Sequence, residues 1–181
     1  MLKKSTIHMV QGAVIASLYV ALTYAQEVLL PGSTSMAVQF RISELLVVLA
    51  LYSPSAISGL TVGCAIANIV CFQALPLDIV VGSLATLCAT ISMYALRNVR
   101  VYNIPFLALL MPAIFNGVFI GLEIELFIGD GFTFAGFLMS AGLVALGEVV
   151  VVAVVGAFFV VFLEKSKIIE KLFKETTQLK A

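Results

Sequence analysis

From Val149 to Leu163 the chain runs fifteen residues that are all apolar or glycine. As an α-helix rising 1.5 Å per residue, that run spans roughly 22 Å. Glu148 stands at its head, and no other charged residue lies between Asp130 and Glu164. Such a segment belongs in lipid hydrocarbon, where a charge near mid-depth costs about 2.5 to 3.5 kcal/mol. Glu148 must therefore face protein or water, which makes it a candidate for function. The structural alternative is a protonated Glu hydrogen-bonded to a neighbouring helix.

The run is one of several. The 181 residues are 62% hydrophobic and 11% charged, against about 25% charged in soluble domains. Repeated stretches of about 20 apolar residues predict an all-α membrane bundle, a single integral domain over residues 1–181 that crosses a cell membrane several times. Cys64, Cys71 and Cys88 lie inside apolar segments without CxxC spacing, so they read as core residues and neither metal site nor disulfide.

Lys3 and Lys4 precede an apolar stretch that lasts to Gln26 and Glu27. A secretory signal has a similar outline, but a spanning helix is the better expectation. Its Ala13, Ser17 and Ala21, at i, i+4 and i+8, make a small-residue stripe of the kind that lets membrane helices approach closely. After the turn-rich break at Leu30-Pro31-Gly32-Ser33, Arg41 and Glu44 can pair at i, i+3. From Leu45 to Phe72 the apolar run is too long for one span, and Ser53-Pro54 interrupts it. One kinked helix or two helices would fit. Basic residues choose between them. Six helices with a cytoplasmic start put Lys3, Lys4, Arg97, Arg100, Lys165, Lys167, Lys171, Lys174 and Lys180 inside and leave Arg41 alone outside, as the positive-inside rule prefers. The expected spans are 8–29, 41–52, 55–73, 78–96, 104–127 and 140–163, with both termini cytoplasmic. The second is short for its task and is expected to sit against its neighbours. Residues 129–136 read as an external loop. In the tail, Ile168, Ile169, Leu172 and Phe173 on one side of a basic helix suggest a segment on the inner membrane surface.

Under this topology Gln26, Glu27, Arg41, Glu44, Asn68, Asp78, Glu123 and Glu148 fall in the outer half, with Asn116 near the middle and Glu125 pointing away from the Asn116 face. The inner half is almost wholly apolar. A channel needs polar groups through the full thickness, so this distribution describes a cup open outward. Several carboxylates and an Asn suit a ligand that donates hydrogen bonds, including one with positive charge: a carboxylate accepts an amidine-like N–H edge in a bidentate pair. Phe40, Phe132, Phe134 and Phe137 stand ready at the mouth to stack on a flat ring, or to serve as packing aromatics. There is no P-loop, and the only histidine, His8, begins the first helix, which removes HExxH zinc chemistry. No matching halves of the inverted-repeat kind are visible.

The chain resembles the substrate-binding (S) components of energy-coupling factor transporters, and within them the queuosine-precursor transporter family. The resemblance is carried by Val38-Gln39-Phe40-Arg41-Ile42-Ser43-Glu44, by Gly59-Leu60 with Gly63-Cys64 and Ala67-Asn68, by Asp78 with Gly82 to Thr86, by Pro112 to Asn116 and by Gly147-Glu148. It implies a six-helix S component binding a 7-deazaguanine base such as queuine or a pre-queuosine base. It also implies that the first helix docks, here through Ala13, Ser17 and Ala21, on a transmembrane coupling subunit that carries two cytoplasmic ATPases. Ser17 departs from the stricter Ala-x-x-x-Ala pattern, and Glu123-Ile124-Glu125 adds carboxylate near the pocket, which favours a cationic aminomethyl ligand. The expected substrate-binding set is Glu148, Asn116, Glu123, Arg41, Glu44, Asn68, Asp78, Gln39 and Phe40. Of these, Glu148 and Asn116 would read the guanine-like edge, and Arg41, Glu44, Asn68 and Asp78 would buttress the cup. No catalytic residue, metal, cofactor or nucleic-acid partner is expected. Two rival readings are an S component for another vitamin and a membrane enzyme using the outer carboxylates as acid and base.

Overall fold

The structure is a computed structural model that describes residues 4–33, 40–70, 76–129, 131–166, 168–169 and 173. The described residues are all helical or connecting, apart from one isolated bridge between Val101 and Ile104. In chain order come α1 (Lys4–Leu29), a 3-10 helix (Ile42–Leu51), α2 (Pro54–Val70), α3 (Asp78–Leu96), α4 (Phe106–Leu109), α5 (Met111–Phe127), α6 (Phe134–Glu148), a π-helical stretch (Val149–Val155) and α7 (Gly156–Lys165). Among the described residues, four continuous helices are long and apolar enough to cross a membrane: Lys4–Leu29, Asp78–Leu96, Phe106–Phe127 and Phe134–Lys165. Ile42–Leu51 and Pro54–Val70 are apolar but shorter.

Local chemistry explains the boundaries. Ser53 and Pro54 separate the 3-10 helix from α2: Ser53 Oγ accepts the Ser55 N–H at 3.3 Å and Pro54 occupies the first helical position, where its missing N–H costs nothing. Two elements therefore replace the single kinked helix that the apolar run allowed. The last helical rod begins at Phe134, six residues before the expected 140, because Thr133 caps it. Thr133 Oγ1 accepts the Gly136 N–H at 3.1 Å, and the Glu125 carboxylate accepts the Thr133 N–H and hydroxyl at 2.9 and 2.7 Å. An acid at a helix N-terminus also complements its dipole.

Small residues set the packing, as close approach between membrane helices requires. Gly12 and Ala16 of α1 lie on Gly59 and Gly63 of α2, where a Cβ at Gly59 would come within 2.5 Å of the Gly12 carbonyl oxygen. Gly117 and Gly121 of α5 lie on Ala141 and Ala145 of α6. The 3-10 helix runs down the middle, with Val47, Val48, Ala50 and Leu51 buried, as expected for a segment too short to face lipid along its length. It meets the π-helical stretch and α7, Val48 touching the Gly156 position. Below the polar groups, Leu60, Met93, Leu109, Val152, Val160 and Leu163 form a continuous apolar core. Phe173, expected on a membrane-surface helix, is 3% exposed and joins this core with Ile168 and Ile169 packed beside it; Leu172 lies outside the described residues. At that end of the bundle Arg100 grips Glu164 at 2.8 and 3.2 Å, and Tyr52 donates to the same carboxylate at 3.1 Å. The hydrogen bonds that Arg100 donates to the Glu164 carboxylate raise its pKa above the ordinary value.

Candidate functional site

A polar stripe on α1 starts the site. Tyr19, Thr23 and Gln26 recur at i, i+4 and i+7, so they share one face, and all three are buried. Each reaches the 3-10 helix or its approach. Gln26 accepts the Ile42 N–H at 2.7 Å and donates to Ser33 Oγ at 2.9 Å and to the Phe40 carbonyl. Thr23 donates to Ser43 Oγ at 2.7 Å, and the Tyr19 hydroxyl donates to Glu44. Gln26 thus satisfies an N–H that a helix start leaves without an internal partner. Tyr19 and Thr23 are absent from the expected cup, which includes Gln26 alone of the three, although helical spacing of polar groups in an apolar helix is the signal that finds them.

Glu44 comes from the first turn of the 3-10 helix and Arg41 is the extended residue just before it, its carbonyl accepting the Glu44 N–H at 3.0 Å. The Arg41 guanidinium donates to Asn68 Oδ1 of α2 at 3.3 Å, and Asn68 Nδ2 donates to the Asp78 carbonyl of α3 at 2.7 Å. Gly82, one turn below Asp78, leaves room for this: a Cβ there would meet Asn68 Nδ2 at 2.9 Å. From the other half of the bundle, Asn116 of α5 donates to Glu148 Oε1 at 2.7 Å.

These groups enclose a cavity lined by Arg41, Glu44, Cys64, Gly82, Thr86, Asn116, Ile120 and Glu148. Its free space is about 10 Å³, the room one water needs. The carboxylates are not all tied off: Glu148 Oε2 and both oxygens of Glu123 are buried without a hydrogen-bond partner. Glu123 lies one turn beyond Ile120 on α5, with Asp78 of α3 close enough for the two acids to interact.

Of the nine expected binding residues, Glu148, Asn116, Arg41 and Glu44 line the cavity, while Asn68 bonds to Arg41, the Asp78 carbonyl to Asn68, and Glu123 interacts with Asp78. Phe40 is 40% exposed and does not line the cavity; Gln39 lies outside the described residues. Phe132 and Phe134 pack on Phe137, each with ring centroids 6.4 Å apart, and none of them lines the cavity. Glu125 is committed to Thr133. The α1 stripe is divided in two: Gly12 and Ala16 pack on α2, while Ala13, Ser17 and Ala21 remain exposed on the adjoining face. Among the described residues no group of three or more His, Cys, Asp or Glu has metal-binding geometry.

The QueT transporter family model matches residues 9–165, which takes in every helix from α1 to α7. The chain belongs to the QueT transporter family. A curated relative, the queuosine precursor transporter QueT of Lactococcus lactis subsp. cremoris, is 37% identical over 90 residues, covering 48% of this chain and 49% of the relative. The chain thus spans about half the length of that relative in the match. No solved structure matches. Like its family, this QueT transporter family member is a multi-pass membrane protein, with four helices long enough to cross.

Proposed function

We propose that this protein is the substrate-binding subunit of an energy-coupling factor importer and that it captures a queuosine precursor, a 7-deazaguanine base, from outside the cell. The observation that carries the reading is the Asn116–Glu148 pair: one carboxylate oxygen is held by an amide at 2.7 Å and the other is buried without a partner beside a cavity. An amidine-like N–H edge fits that oxygen, since charge-assisted hydrogen bonds are the strong ones. The queuosine precursor for which the Lactococcus lactis relative is named supports the cargo. In this reading the bundle crosses the membrane six times, with the short 3-10 helix and α2 counted as spans and both termini cytoplasmic. The basic residues at the Arg100 end support that orientation. The exposed Ala13, Ser17 and Ala21 meet a transmembrane coupling subunit that bears two cytoplasmic ATPases, and no cofactor, metal or catalytic residue takes part. Because the free space is about 10 Å³, a bicyclic base enters only as Arg41, Glu44 and Glu148 move apart.

Isothermal titration of the purified full chain with queuine, a pre-queuosine base and riboflavin tests the cargo. Only the first two are expected to bind. Glu148→Gln should weaken them by more than about tenfold, the scale of one hydrogen bond to a charged group. Unchanged affinity in that variant removes Glu148 from the binding role.

A further inference from the structure

Glu44, Asp78, Glu123 and Glu148 share one guanidinium, Arg41, which interacts electrostatically with all four. Their hydrogen bonding is unequal. Glu44 receives the Tyr19 hydroxyl and Glu148 the Asn116 amide, but no donor reaches either oxygen of Glu123 or the second oxygen of Glu148. Glu123 is 3% exposed and Glu148 7%, so bulk water does not substitute. Leaving such acceptors unmade is costly, and the group that stands beside Glu123 is a second acid, Asp78.

Spacing adds a direction. Asn116 and Glu123 are two helical turns apart on one face of α5, about 10 Å along the axis at 1.5 Å per residue. A bicyclic base whose guanine-like edge lies on Glu148 and Asn116, with a one-carbon amine arm on its far side, bridges a similar distance once a hydrogen bond of about 2.8 Å is added at each end. Resting on the reading of this cavity as the seat of a 7-deazaguanine base, we infer that the site selects bases carrying a protonated amine. Glu123, with Asp78 beside it, is the specificity-determining contact for that ammonium. Glu125 takes no part, being engaged with Thr133.

Titration of the full chain with 7-aminomethyl-7-deazaguanine, cationic at neutral pH, and with 7-cyano-7-deazaguanine, the uncharged analogue, tests this. The amine should bind at least about tenfold tighter, as expected when a charged group gains its partner. Glu123→Gln should erase that preference. Equal affinities in the wild type overturn the inference while the deazaguanine reading stands; binding of neither base overturns both. Because Glu123→Gln replaces an unpartnered acid by a neutral amide, the ligand-free variant should melt no lower than the wild type. A lower Tm with the preference intact shows Glu123 serving the fold, and the inference fails. Asp78→Asn, on the other side of the pair, is the second variant and must also reduce the preference.

Discussion

Glu123 and Glu125 stand two residues apart on α5 and end in opposite surroundings: one lacks any hydrogen-bond partner, the other holds the Thr133 N–H and hydroxyl. Helical geometry separates them by about 200°, which is enough to send one into the polar interior and the other to the start of α6. Glycines behave with the same dependence on place. At Gly59 an added Cβ meets Gly12 backbone at 2.5, 3.0 and 3.1 Å, whereas at Gly142 nothing lies within 4 Å. Backbone cannot step aside as a side chain can, so Gly59→Ala should destabilise the protein by about 1 to 3 kcal/mol, the usual cost of overpacking. Gly142→Ala should be neutral or gain up to about 1 kcal/mol from helix propensity. Unfolding midpoints of the two variants in the same detergent check the contrast, and equal effects would refute the close α1–α2 contact. At the far end, the Arg100–Glu164 pair is about one-third exposed on each side. Glu164→Gln should therefore change stability by no more than about 1 kcal/mol, as surface pairs do.

Two elements depart from the ordinary α-helix, and they face each other beneath the cavity. The ten residues Ile42–Leu51 are wound as a 3-10 helix, long for that form, which seldom exceeds three or four residues. At about 2.0 Å per residue they reach some 20 Å, where an α-helix would reach about 15 Å. That stretch lets one short segment carry Arg41 and Glu44 to the cavity and still deliver Ser53-Pro54 to the other end of α2. The π-helical stretch Val149–Val155 begins directly after Glu148; π turns are rare and gather at functional sites. On α1 the division of small residues makes a paired prediction. Ala16→Leu should unfold the protein or lower its Tm sharply, because Ala16 Cα lies 3.0 Å from the position of a Gly63 Cβ. Ser17→Leu, on the exposed face, should leave Tm and substrate affinity unchanged yet reduce co-purification with the coupling subunit proposed above. Loss of affinity in Ser17→Leu would show that this face belongs to the site and not to a partner.

For the molecule as a whole, orientation in the membrane is the consequence most open to test. With Cys64, Cys71 and Cys88 replaced by alanine, Phe132→Cys should react with a membrane-impermeant maleimide on intact cells. Tyr102→Cys, at a turn where the side chain is 94% exposed, should react only after permeabilisation. The reverse pattern would invert the cup. Much of this plan was legible from residue order. Apolar runs set the helices, Ser53-Pro54 marked the break that the structure shows, and the separation of polar groups from the Leu60–Val160 core followed from where charges fall along each run. Those properties are local: hydrocarbon length and a missing proline N–H act on the segment that contains them. Pairing is not local. Whether Glu148 Oε2 finds a donor, whether Gly12 or Ala13 turns inward and how little space is left among Arg41, Glu44 and Glu148 depend on side chains brought from α2, α3 and α5. The 3-10 and π windings belong with these, because they answer to the distance between neighbours and not to the propensity of Val and Leu. The sequence alone determined that the chain folds into apolar helices with a break at Ser53-Pro54; the tertiary structure decided which carboxylates are left wanting a partner, since only packing across helices satisfies or strands a buried oxygen.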